Sequence, residues 1–172
     1  MSIVLDGTGT ISGVVAGGLP DATITQAEIA SGVAGTGPTF SASKTGSNQS
    51  ITSSTFTKVT FNTENFDTNS NFASSTFTPT VAGYYQINTA LNLYAPSGTR
   101  FIVSIYKNGA EYARGVDLPF SSSAGVTSCA SAIVYCNGTT DFVESYAFVI
   151  GTSPNVLFGI ASYFDGALVR AA

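Results

Sequence analysis

The sequence contains no histidine and no tryptophan, and only 9% of its 172 residues are charged. Without histidine the chain lacks the commonest general base and the commonest zinc ligand, and a Ser-His-Asp triad is excluded. The glycine-rich fragments lack the Gly-Lys-Ser/Thr of a phosphate-binding loop, and no two carboxylates form a convincing pair for glycoside hydrolysis. We therefore expect a protein that is not an enzyme and that needs no cofactor.

The shortage of charge also limits the partners. The formal net charge is −4, and the six lysines and arginines are scattered along the chain. A nucleic-acid-binding protein needs a basic stripe to neutralise the phosphate backbone, so this class is excluded. The surface must consist of Ser, Thr, Asn and Gly, or part of it must be buried against partners.

Long apolar runs are missing as well. No stretch approaches the roughly 18 apolar residues that a membrane span requires. The N-terminus, Met1-Ser2-Ile3-Val4-Leu5-Asp6, lacks the basic start and the apolar run of a signal peptide. We expect a protein that is made and assembled in a cytoplasm and that inserts into no membrane.

The two cysteines, Cys129 and Cys136, lie seven positions apart. On one extended strand their side chains point to opposite faces, and the separation is about 23 Å at ~3.3 Å per residue. That distance is too long for a disulfide in this geometry. The sequence therefore predicts two reduced cysteines, both buried as small hydrophobic residues.

Two regions differ in composition. Residues 1–37 hold eight of the 18 glycines and no aromatic residue, so this segment cannot build a core of its own. It is either a flexible leader or an arm that becomes ordered by docking on a partner, and we favour an attachment arm. Residues 38–172 contain the aromatic residues and form the predicted folded domain.

The domain shows the alternation of β-strands. Residues 84–94 alternate apolar and polar positions, and residues 101–106 form a second clear strand. Asn108-Gly109 follows and supplies the positive φ angles of a two-residue hairpin. Further strands are predicted at residues 58–61, 72–77, 111–116, 126–135, 141–150 and 155–163. Eight to ten short strands with polar turns indicate an all-β sandwich or jelly roll.

One motif is more specific. Phe77-Thr78-Pro79-Thr80-Val81-Ala82-Gly83-Tyr84-Tyr85 resembles the run that leads into the central strand of complement one-q globular heads and their tumour-necrosis-factor-like relatives. Lys107-Asn108-Gly109 and the segment 158–168 are similar to that family's hairpin and closing strand. The resemblance covers about residues 38–170. It implies a jelly roll that assembles as a homotrimer around aromatic and aliphatic side chains.

The resemblance also implies which residues meet at a trimer interface. Tyr84 and Tyr85 are neighbours on a strand, so one can fill the core while the other meets solvent or a second subunit. For any single aromatic residue, a place in the subunit's own core is the favoured interpretation. The candidates for trimer interface or core are Tyr84, Tyr85, Phe101, Tyr106, Phe158 and Tyr163.

The leader has a resemblance of its own. Residues 18–33, followed by Gly35-Thr36-Gly37-Pro38, are similar to leaders of phage fibre and other virion proteins. This implies a bacteriophage virion surface protein, synthesised in the host bacterial cytoplasm, whose partners are its own copies and other capsid or tail proteins. It acts either as capsid decoration or as a short fibre. The alternative is a tail-fibre adhesin that recognises host-surface glycans, and a free lectin is a weaker third choice.

One acidic cluster leaves a metal site open. Glu64-Asn65-Phe66-Asp67 offers oxygen ligands that could hold calcium. Its spacing matches no known calcium loop, so a solvated loop is the favoured interpretation.

Overall fold

A computed structural model describes residues 37–119 and 121–172 of the chain. Within these ranges the chain forms thirteen β-strands and no helix. The long strands are β1 (Thr39–Lys44), β4 (Thr63–Asp67), β7 (Ala82–Tyr94), β8 (Arg100–Lys107), β9 (Ala110–Leu118), β10 (Val126–Asn137), β11 (Val143–Ile150) and β13 (Gly159–Ala171). The two-residue strands are β2 (Gln49–Ser50), β3 (Thr57–Lys58), β5 (Phe72–Ala73), β6 (Thr76–Phe77) and β12 (Asn155–Val156).

The strands form two antiparallel sheets. Seven strands make sheet A, in the order β2-β12-β7-β13-β1-β4, with β10 paired along the other edge of β7. Six strands make sheet B, in the order β5-β6-β11-β8-β9, with β3 paired to β11. The predicted all-β sandwich is therefore confirmed.

The core lies between the two sheets and is rich in aromatic rings. Phe40 is fully buried and stacks on Phe77, with ring centroids 4.3 Å apart. Phe164 meets Phe40 edge to face at 4.9 Å, and Phe77 meets Tyr85 in the same way at 5.4 Å. Each such side chain contributes roughly 1.5–3 kcal/mol by leaving water, so this cluster supplies much of the folding free energy.

The motif before β7 is held by polar contacts. The Tyr85 hydroxyl donates a hydrogen bond to the Val81 carbonyl at 2.7 Å, and Asn71 Oδ1 accepts one from the Thr80 amide at 3.1 Å. A Cβ on Gly83 would lie 2.5 Å from the Arg170 carbonyl oxygen. The motif thus needs a tyrosine that reaches back to its own turn and a glycine where β7 approaches β13.

The hairpin predicted at Asn108-Gly109 is confirmed. Both residues have positive φ angles, 52° and 78°, as a two-residue turn between β8 and β9 requires. Other predicted strands differ from the observed ones: residues 72–77 are split by a turn at Ser74 and Ser75, which have positive φ angles, and residues 155–163 are split into β12 and a β13 that continues to Ala171. Strands β1 and β4 were not predicted.

Residues 1–36 lie outside the described residues, so the attachment arm stays a prediction. In the described part of the chain, no helix has the length and apolarity that a membrane crossing needs.

Candidate self-association surface

The outward face of sheet A is built by alternation along its three longest strands. On β7, Tyr85 is fully buried while Tyr84 is 44% exposed, because neighbouring side chains on a strand point to opposite faces. The register then places Tyr135 of β10 opposite Tyr84, and Asp165 of β13 opposite Asn88. Residues from three strands therefore share one surface.

One end of this face is apolar. The rings of Tyr84 and Tyr135 lie 5.4 Å apart, and Ile133 and Val169 are each about half exposed. An open hollow of about 620 Å³ lies here and is lined by Tyr84, Ile133, Val169, Arg170, Ala171 and Ala172. Apolar side chains in such a hollow gain free energy when a partner covers them.

The middle of the face is polar. The Gln86 amide donates to Ser131 Oγ at 2.8 Å, and Ser131 Oγ in turn donates to Asn88 Oδ1 at 2.8 Å. Asn88 Nδ2 donates to Asp165 Oδ1 at 3.0 Å. These bonds connect β10, β7 and β13 and fix the side chains in place before any partner binds.

Most of the exposed large apolar residues lie on sheet A. In the described part of the chain, all of them belong to sheet A, to the segment that joins its strands β12 and β13, or to β9, the strand beside β10. They are Phe66, Tyr84, Ile133, Tyr135, Phe158, Ile160 and Val169, with Tyr112 and Val116 on β9. Seven of the nine thus belong to sheet A or to the segment beside it, and this uneven distribution marks sheet A as a candidate contact surface.

The sandwich is closed at the edge where β9 and β10 meet. A Cβ on Gly115 would overlap the Cys129 carbonyl oxygen, so the two strands approach closely only because residue 115 is glycine. Ser128 Oγ donates to the Val116 carbonyl at 2.9 Å, and the Tyr112 hydroxyl donates to the Ile133 carbonyl at 3.1 Å. These side-chain hydrogen bonds join the two sheets in place of a backbone ladder between β9 and β10, and they leave Tyr112 and Val116 exposed to solvent.

The outward face of sheet B is covered by the subunit's own side chains. Ile102 points outward on β8 but is only 1% exposed. The rings of Tyr106 and Tyr146 stack at 3.9 Å, and Phe56 lies 5.0 Å from Phe148. This layer therefore forms a small satellite core that needs no partner.

Charge on sheet B is paired within the subunit. Arg100 donates two hydrogen bonds to Asp117, and Arg114 donates two to Glu111. The hydrogen bond from each guanidinium is the main reason that the pKa of its partner carboxyl is lowered. Such pairs leave little unsatisfied charge to attract a ligand.

The structure separates the six predicted interface or core residues. Tyr85 and Phe101 are fully buried core residues, whereas Tyr84 is exposed. Tyr163 is half-buried on the outward face of sheet A, and Phe158 is 53% exposed just before β13. Tyr106 lies on sheet B and belongs to the satellite core described above.

Sequence reasoning did not single out Ile133, Tyr135 or Val169, which complete the apolar end of the face. The signal for Ile133 and Tyr135 was present, because both occupy the odd positions of β10 while Val134 and Cys136 are fully buried. Val169 gave no such signal, since a register shift between Leu168 and Arg170 interrupts the alternation of β13.

The cysteine prediction was half wrong. Both cysteines are free and lie on β10, as expected. Cys136 is buried, and burial raises the pKa of its thiol to about 11. Cys129 is exposed on the outward face of sheet A, opposite Ala90. The spacing of seven puts one of the two thiols outside whenever the other is inside.

The acidic segment 64–67 uses its aspartate for structure. The Asp67 carboxylate accepts hydrogen bonds from the amides of Asn69 at 3.3 Å and Phe72 at 2.7 Å, which caps the following turn. Among the residues that the structure describes, no three His, Cys, Asp or Glu side chains come together as metal ligands.

Comparison with known proteins places this architecture. The structure is similar to the globular domain of the zebrafish complement 1qA protein, with a TM-score of 0.60, 17% identity, and coverage of 78% of this chain and 99% of that one. It is also similar to murine APRIL at pH 8.0, with a TM-score of 0.57, 9% identity, and coverage of 77% and 98%. No family model and no curated protein matches the sequence. The chain thus has the all-β jelly-roll fold of the complement one-q and tumour-necrosis-factor-like domains, as the sequence resemblance implied.

Proposed function

We propose that this chain is a subunit of a non-enzymatic, homotrimeric surface protein of a bacteriophage particle, which acts as capsid decoration or as a short fibre. The observation that carries the self-association is the placement of the exposed large apolar side chains on sheet A and on the β9–β10 edge. Sheet B, whose outward face is covered by its own side chains, then faces solvent.

A closed trimer requires two different contact patches on each subunit, because each copy meets one neighbour with one patch and the other neighbour with the second. The subunit offers two such patches. One is the apolar end of sheet A, with Tyr84 and Val169, and the other is the exposed edge, with Tyr112 and Val116. Ile133 lies on β10 where the two patches meet.

The particle context is supported by the leader, whose sequence resembles those of virion proteins. The chain enters the described domain at Gly37, where a Cβ would overlap Leu168. The C-terminal Ala172 amide bonds the Ala82 carbonyl at 3.1 Å. Gly37 and Ala172 therefore both lie at the β13 end that carries the apolar hollow, and we propose that residues 1–37 attach the knob to the particle.

Sedimentation velocity tests the trimer directly. The protein is expected to sediment with three times its subunit mass of 17.6 kDa. Ile133→Asp and Val169→Asp should yield folded monomers, because a partner cannot cover a new charge without a counter-charge. Ala73→Asp, at an exposed position of sheet B, is the matched control and should remain trimeric. A wild-type monomer at all concentrations would refute the proposal.

Removal of residues 1–37 tests the attachment. The shortened protein should stay a soluble trimer but should no longer join particles during assembly. Normal incorporation of the shortened trimer would show that the docking site lies in the knob. Cryo-electron microscopy of intact particles would then separate the two roles, since decoration requires many copies over the head and a fibre only a few at the tail.

A glycan-binding adhesin is the second candidate, and one feature of the loops favours it. Next to the end of β7 that lies away from Ala172, a cleft of about 330 Å³ is lined by Pro96, Ser97, Gly98, Thr99, Ser121, Ser122 and Ser123. The Gly98 and Ser122 backbones bond each other in both directions, at 3.2 and 2.9 Å, which ties together the two segments that line the cleft. Uncharged hydroxyls suit a neutral sugar, and saturation-transfer NMR with neutral oligosaccharides would test this role.

A further inference from the structure

One carboxylate lies on the same outward face of sheet A as the apolar end through which the proposed trimer forms. Asp165 lines a shallow groove of about 280 Å³ on the outward face of sheet A, together with Phe66, Asn88 and Ala167. Its one hydrogen bond in the described part of the chain is the 3.0 Å contact from the Asn88 amide, and it makes no ion pair there. The remaining hydrogen-bonding capacity of the Asp165 carboxylate is therefore satisfied only while water reaches it.

The subunit has almost no cation left to neutralise this charge. Four of the six cationic side chains already hold a carboxylate, and Lys44 is buried at 4% exposure. The pairs are Lys58–Glu144 at 2.6 Å, Arg100–Asp117 at 2.5 Å, Lys107–Asp141 at 2.9 Å and Arg114–Glu111 at 2.7 Å. Arg170 remains, but it lies five residues further along β13, roughly 17 Å away at ~3.3 Å per residue.

Apart from Arg170, the other outward-facing titratable side chains of the strands around Asp165 are phenols, one thiol and one carboxylate. Strand β1 contributes only Thr39, Ser41 and Ser43 to this face. On β13, β7 and β10 the groups are the phenols of Tyr163, Tyr84, Tyr94 and Tyr135 and the thiol of Cys129. Glu64 on the edge strand β4 is the remaining carboxylate of sheet A without a partner in the described residues, and it is exposed.

We propose that Asp165 couples self-association to proton uptake, so that the copies bind one another more tightly as the pH falls. This inference rests on the proposed function, in which a second copy of the chain covers sheet A. An ionised carboxylate without a counter-charge is strongly disfavoured when it leaves water, whereas its protonated form can keep the bond to Asn88 or donate one. The associated state therefore binds a proton that the free subunit releases.

The size and direction of the effect follow from linkage. When association takes up protons, the association constant increases as the pH decreases, by at most tenfold per pH unit for each proton bound. A trimer has three copies of Asp165, so the three-subunit constant can change by up to about a thousandfold per pH unit. At high pH the carboxylate stays ionised and opposes association.

The experiment measures association of the full chain between pH 5 and pH 8 at constant ionic strength, by sedimentation velocity and by subunit exchange between two fluorescently labelled pools. Asp165→Asn should associate at least tenfold more tightly than wild type at pH 7.5 and should lose most of the pH dependence. Glu64→Gln removes the same formal charge from sheet A and should keep the wild-type pH dependence, which controls for the lower net charge.

Two results would overturn the inference while leaving the trimer intact. If Asp165→Asn associates more weakly, the carboxylate has a cationic partner in the other copy, with Arg170 the first candidate. If Asp165→Asn and Glu64→Gln show the same pH dependence as wild type, Asp165 does not bind the proton. A wild-type chain that is monomeric at every pH would instead refute the proposed function itself.

Discussion

A buried lysine should destabilise the folded domain, and its removal should raise the stability. Lys44 ends β1 with 4% exposure and makes no ion pair with any described residue. Its ammonium group donates hydrogen bonds only to the Thr60 carbonyl at 3.2 Å and to Thr60 Oγ1 at 3.5 Å. Burial lowers its pKa below the ordinary value of a lysine, which shows that the charged form is disfavoured in the folded state.

The magnitude follows from opposing terms. Taking one ammonium group out of water costs several kcal/mol after relaxation, and its hydrogen bonds offset roughly 2–3 kcal/mol of that cost. In Lys44→Met the apolar stem stays buried and the charge is gone, while the exposed Thr60 can bond water instead. We expect a gain of about 1–2 kcal/mol in unfolding free energy at pH 7, a rise of roughly 3–8 °C in Tm.

The assay is urea unfolding at equal protein concentration, repeated from pH 7 to pH 10.5. The folded amine loses its proton at a lower pH than the unfolded one, so the wild type gains stability as the pH rises between the two pKa values, and the advantage of Lys44→Met should shrink. Lys58→Met is the control and should lower the unfolding free energy, because it leaves the carboxylate of the 7%-exposed Glu144 without the Lys58 ammonium group that lies 2.6 Å away. A less stable Lys44→Met, or an advantage that does not change with pH, would refute the reasoning.

Three further predictions concern β9 and β10. Gly115→Val should lower the unfolding free energy by about 2 kcal/mol or more, because a side chain there overlaps the Cys129 carbonyl; unchanged urea unfolding would contradict the close approach of the strands. In the monomeric Ile133→Asp variant, the exposed Cys129 should react rapidly with Ellman's reagent, while the buried Cys136 should not. In the wild-type trimer both thiols should be protected. Equal thiol reactivity in trimer and monomer would argue against a covered sheet A. The Cys136 thiol ionises near pH 9 in the unfolded chain and near pH 11 in the folded one. The unfolding free energy should therefore fall by roughly 3 kcal/mol between these pH values, at ~1.4 kcal/mol per pH unit. Cys136→Ala should remove that part of the alkaline loss, and an unaltered pH profile would count against it.

Much of the fold was predictable because it depends on neighbours along the chain. The alternation of residues 84–94 identified β7, and Asn108-Gly109 identified the hairpin, since a strand's period and a turn's φ angles are local properties. The spacing of Cys129 and Cys136 likewise placed the two thiols on opposite faces. Which of the two faced the core was not contained in that spacing.

The candidate surface could be predicted only in part. Tyr84 was singled out from the motif that precedes β7, and it does lie on the exposed face of sheet A. Tyr106 has the same chemistry on an equally regular strand, yet it stacks on Tyr146 in the satellite core. The difference arises from Phe56, which lies far before β8 in sequence but packs 5.8 Å from Tyr106.

By itself the sequence determined the class of fold, the central strands β7 and β8 with the hairpin that follows, and the lack of histidine chemistry, because composition and periodicity are properties of the chain alone. Only the tertiary structure decided which sheet carries most of the exposed apolar side chains, that Lys44 is buried with no counter-charge among the described residues, and that Asp165 makes no ion pair with any of them. These properties depend on the pairing of strands far apart in sequence, such as β13 with β7 and β1. Burial and charge compensation are set by that pairing, and no local pattern records it.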